Sequence, residues 1–291
     1  VPKSLRQDHE RPPIMNVLQF SDRILCLPVI HGSGDFAIEV RRVMLSHKFD
    51  CLAVPLPPSF QNDVERAIAF LPNVSLVMQE ERPTIAATEW RGEDHDHDEA
   101  DRTFSYVPID PCQGVITALR IALQERISRA FVDLETAQFE SYAAGLPDPY
   151  ALKHVSPEKF ATALLPSIGR LPEGQPRERA VFMAARLKEL EQRYERILFV
   201  CSIVDWPWIR EAYVDQAEPL GEHEPVEETS IYQADPETLL FVLGELPFIT
   251  GLYERARADL EADENLSIDG IKAMLLAARD HYKAELGNRS R

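Results

Sequence analysis

Apolar residues recur along this chain at two spacings, and their alternation lays out a fold. Residues 23–34, RILCLPVIHGSG, form a nearly continuous apolar run that breaks at His31, Gly32 and Gly34. A strand covered on both faces of a parallel sheet requires such a run. The glycines supply freedom for a sharp turn. Asp35 is placed to cap a helix, and Phe36, Ala37, Val40, Val43 and Met44 follow at helical spacing. Residues 51–54 read as a second strand, closed by prolines at 55, 57 and 58. Val64, Ala67, Ile68 and Leu71 mark a helix stopped by Pro72, and residues 74–78 a third strand. Strands alternating with helices of about ten residues predict an α/β protein, with a mostly parallel sheet flanked by helices.

The alternation lapses over residues 79–103, where RGEDHDHDEADR places His95 and His97 among acids. Imidazole and carboxylate can ligate a divalent cation. A solvated, self-repelling insertion is the weightier reading, because ligands on a flexible loop have no preorganised geometry. Order returns with FSYVPIDP. Asp110, Pro111 and Gln113 predict a helix start, with Val115, Ile116, Leu119 and Leu123 as its buried stripe. The strand RAFVDLE then brings Asp133 and Glu135 to the sheet edge that carries His31. Such acids serve acid–base or metal chemistry, or cap the next turn.

Residues 136–176 read as a proline-rich connection with one helix, opened by Ser156 and Pro157. The longest helix, RERAVFMAARLKELEQRYERI, turns Met183, Leu187, Leu190 and Tyr194 inward and leads into a buried strand, ILFVCSI. Trp206 and Trp208 follow, as core packing or as walls of a pocket. The stretch DQAEPLGEHEPVEETS is an acidic linker or surface strap. Beyond it come helices opened by Asp235 and Pro236, around residues 252–260, and from Ser267 to Gly287, the last with Ile271, Met274, Leu275, Ala278 and Tyr282 on its apolar face. Those faces must be covered by the core, a second copy, another protein, or chain beyond Arg291. The expected division is a lead-in at 1–22, an α/β core at 23–215 with an acidic insertion at 80–104, and a linker with C-terminal helices at 216–291.

Composition narrows the function. Among 291 residues, 31 Lys and Arg stand against 48 Asp and Glu, for a net charge of −17. That balance excludes a broad electrostatic grip on nucleic acid or anionic lipid and favours a basic partner or a metal ion. No apolar run reaches membrane-span length, and VPKSLRQDHERPP lacks a signal-peptide core, so the cytoplasm is the expected address. Cys26, Cys51 and Cys201 fall in predicted strands and read as buried thiols. Cys112, at a predicted helix start, is the one with a nucleophilic alternative.

Several of these motifs together resemble a known superfamily: the strand ending in His31 and Gly32, the YVPID segment before a helix, the V-D-L strand, ERAVFMA opening a long helix, and VCSIVDWPWI. The chain resembles the erythromycin esterase-like, ChaN-like and TraB/Tiki proteins over roughly residues 23–215. That resemblance implies an α/β core with its site at the carboxyl edge of the sheet, and ester hydrolysis, metal-dependent peptide cleavage or haem binding as activities. It assigns His31 with Gly32, and Glu178 with Arg179, to family motifs. Two positions depart: Ser202 and Asp205 stand where the family has a glycine and then a histidine, and AVPLPP lacks the family's acid after the second strand. Two readings follow. One is a hydrolase using His31, Asp133, Glu178, Arg179 and Asp205 on a small-molecule or peptide ligand, with a divalent metal held by one histidine and several carboxylates. The other is a binding module of the same fold that has lost catalysis.

Overall fold

The computed structural model describes residues 17–82, 102–142, 145–147, 155–219, 221–258 and 266–289. The chain is an α/β protein built on a four-stranded, all-parallel sheet. Its strands are β1 (Ile24–Val29), β2 (Cys51–Val54), β5 (Ser128–Phe131) and β6 (Ile197–Ser202), in the order β1-β6-β2-β5. β6 is central because its residues pair on both sides, Leu198 with Leu25 and with Leu52. β2 is buried throughout and β6 at all but its last residue, which requires cover on both faces of the sheet.

Helices α1 (Gly34–Ser46), α2 (Gln61–Ile68) and α3 (Gly114–Glu125) pack together, with α3 against β2, β5 and β6. Helix α4 (Pro157–Leu164) begins on a Ser156 side chain that accepts the Lys159 N–H. Helix α5 (Gln175–Glu191) packs on α6 (Trp206–Val214). Trp206 and Trp208 are both core residues, and the Trp208 Nε1–H donates to the Gly169 carbonyl at 3.0 Å.

The third predicted strand departs from the parallel series. β3 (Ser75–Glu80) joins a separate antiparallel sheet between β4 (Phe104–Ile109) and β7 (Thr229–Gln233). Its sequence SLVMQE alternates buried and half-buried positions, the pattern of a strand with one covered face. β7 follows the acidic strap and carries no strong strand signal of its own; pairing with β3 makes it a strand. The acidic insertion around His95 and His97 falls almost wholly at residues 83–101, outside the described residues.

After β7, α7 (Leu239–Val242) is one short turn, and α8 (Pro247–Ala258) buries Ile249 and Tyr253. Helix α9 (Leu266–Arg289) packs on α8 and α1 and runs on through Gly287 instead of ending there. The side chain of Ser267 lies outside the described residues. Much of the apolar face expected to be covered on this helix is open: Ile271, Leu275 and Tyr282 are exposed.

Candidate functional site

Three of the five candidate residues meet at the carboxyl edge of the parallel sheet. Asp133 lies two residues past β5, and its carboxylate takes a forked contact from Arg179 on α5, with the guanidinium Nε 3.1 Å from Oδ1. Both side chains are shielded, Asp133 almost completely. The other face of the Arg179 guanidinium lies over the Phe139 ring, 4.6 Å from its centroid. Glu178 beside Arg179 in the sequence suggests an ion pair within the helix start. Instead Arg179 reaches across to Asp133, because adjacent helical side chains diverge.

Asp205 follows β6 and opens α6 without capping it. Among the described residues its carboxyl group makes no hydrogen bond. Enclosure, and then the Asp133 charge, push its pKa up to about 7. A carboxyl group that exchanges its proton near neutrality can act as acid or as base.

Glu178 and His31 stand outside this triad. The Glu178 carboxylate faces Gly221, where an added Cβ would lie 3.9 Å from Oε2. No hydrogen bond or ion pair joins His31 to Asp133, Glu178, Arg179 or Asp205 among the described residues. His31 hydrogen-bonds Gln113, which favours the charged ring, and surrounding protein pushes the pKa down more strongly. His31 is nevertheless exposed in the turn.

The turn around His31 is closed by chain from the C-terminal region. Gly32 has φ +73° and a Cβ there would lie 2.7 Å from the Gly244 Cα; one on Gly244 would lie 2.1 Å from the Gly32 Cα. Only two glycines permit that approach. Around it, the Gly34 N–H donates to Glu245 Oε1 at 3.1 Å and the Gly244 N–H to Asp110 Oδ2 at 3.0 Å. Asp110 also accepts the Cys112 N–H, so it forms a turn and α3 begins only at Gly114. Cys112 therefore sits before the helix, buried, with its thiol pKa pushed up by burial, which is the opposite of a nucleophile's requirement.

Glu135 takes the turn-stabilising role. Its carboxylate accepts the Ser59 N–H at 2.6 Å and Oγ–H at 2.8 Å. Sequence reasoning missed His223, whose Nδ1 accepts the Glu135 N–H at 3.0 Å while its ring edge meets Phe182. Its neighbours GEHEP signal only a polar loop. Among the described residues, no three His, Cys, Asp or Glu side chains are grouped to hold a metal ion, so the histidine-and-carboxylate cluster is not assembled there.

Comparisons with protein-family models, curated proteins and solved structures return no match. The site is therefore argued from its own chemistry.

Proposed function

We propose that the carboxyl edge of the parallel sheet is an acid–base site of hydrolytic type, acting on an ester or amide bond of a small-molecule or peptide ligand. The observation that carries this reading is Asp205: a largely enclosed carboxyl, unbonded among the described residues, held near neutral pKa beside Asp133. In this reading Asp205 moves the proton, its proton affinity raised by enclosure and then by the Asp133 charge. Arg179 holds Asp133 and offers positive charge to a developing oxyanion. The superfamily resemblance supports the same location, through Glu178 and Arg179 and through His31 and Gly32. No step is routed through a metal.

The test is a panel of nitrophenyl esters and chromogenic peptide amides, assayed with wild type and Asp205→Asn between pH 5 and pH 9. Hydrolysis with an inflection near pH 7 that Asp205→Asn abolishes supports the reading. Turnover indifferent to that substitution sinks it.

A second reading, ligand or partner binding without turnover, is favoured by the closure of Asp133 on Arg179 and by the 221–224 segment laid across the same edge. It expects no turnover on any substrate in the panel.

A further inference from the structure

A cleft of about 170 Å³ lies among α1, α3 and α8 and shares no lining residue with the Asp133, Arg179 and Asp205 cluster. Three guanidinium groups line it: Arg41 from α1, Arg120 from α3 and Arg257 from α8. Ile116 and Leu71 add apolar wall. Two acids oppose the charge. Glu125 lines the cleft, and Glu254 accepts from Arg120 Nη1 at 2.7 Å and from Arg257 Nε at 3.3 Å. Arg41 makes no hydrogen bond or ion pair among the described residues.

This arrangement runs against the rest of the chain. Elsewhere Arg42, Arg66, Arg129 and Arg179 each pair with an acid that serves no second described arginine. With 48 acidic residues against 31 basic ones, carboxylates are in excess, yet here two arginines share one and a third has none among the described residues. Like charges gathered in a partly enclosed space repel, and an anion offsets that repulsion. Glu254 also holds two of the guanidinium groups in place, while most of their N–H donors have no partner among the described residues. Such forks match the oxygens of phosphate.

We propose that this cleft binds the phosphate or pyrophosphate group of a small molecule. Its volume is close to that of cavities, of about 150 Å³, that hold a benzene ring. A pyrophosphate-sized head fills it, and the remainder of the ligand projects to solvent. The proposal does not depend on the hydrolytic reading.

Calorimetric titration of the full chain with inorganic pyrophosphate tests it, alongside Arg41→Gln, Arg257→Gln and the control Arg42→Gln, on the same helix but paired with Glu39. Wild type is expected to bind one pyrophosphate. Arg41→Gln and Arg257→Gln are each expected to weaken binding about tenfold or more, with unchanged thermal midpoints, while Arg42→Gln binds as wild type. Failure of wild type to bind overturns the proposal. So does an equal loss in Arg42→Gln, which marks diffuse attraction, or undiminished binding in both cleft variants.

Discussion

Two stretches of one sheet edge are closed by different physics. Past β5 and β6, closure is electrostatic: Asp133 pairs with Arg179, and enclosure, then the Asp133 charge, leave Asp205 with a raised proton affinity. Past β1, closure is steric: Gly32 and Gly244 touch backbone to backbone, and Glu245 and Asp110 tie the approach with single N–H bonds. A charge pair can be retuned by protonation and by a substrate's own charge. A glycine contact either fits or does not. Under the proposed function the chemistry belongs to the first region, and the second is a seam joining the C-terminal segment to the core.

The contrast predicts which substitutions hurt, and why. Arg179→Met has the largest expected effect, because it leaves Asp133 buried without its partner; a loss of about 3–5 kcal/mol is expected in urea unfolding. The double variant with Asp133→Asn should recover most of it, and failure to recover would show that Arg179 matters for packing instead of charge. Gly244→Ala comes next, at about 3 kcal/mol, since its Cβ meets backbone that has no flexible side chain to yield. Hydrogen exchange should speed up in α8 more than in β6; equal acceleration would mean that the seam is not a local device.

Asp205→Asn should act in the opposite direction. Below about pH 3 both states of the wild type keep the proton, and the variant gains nothing. As pH rises toward 7 the unfolded chain ionises first, so the wild type loses stability across that window. Above pH 7 the variant should be the more stable by about 2 kcal/mol. A variant advantage of the same size already present below about pH 3 would rule out the proton as its cause. The smallest effect belongs to Glu245→Gln, which weakens the charge at the α1 start; about 0.5 kcal/mol is expected in thermal unfolding, and it should shrink in high salt.

Much of the parallel half is legible from local pattern. The strands around Cys26, Cys51 and Cys201 and the long helix with Met183 and Leu187 appear where apolar spacing places them. The meeting of Asp133 with Asp205 is half legible: each residue sits just past a strand, but their proximity depends on strand order. Position past a strand also fails to pick partners, as His31 shows by bonding Gln113 and not the acids.

What the sequence by itself determined is which stretches bury and which bend: apolar runs become central strands, the strand at Ile24–Val29 turns at Gly32, and α4 starts at Ser156 and Pro157. Those outcomes follow from solvent exclusion and backbone sterics acting over a few residues. Only the tertiary structure decided that β3 leaves the parallel sheet, that β7 exists, that Gly244 lies on Gly32, and that three arginines share a cleft. Each of these joins segments far apart in the chain, where no local periodicity reaches and the decisive energy comes from the contact itself.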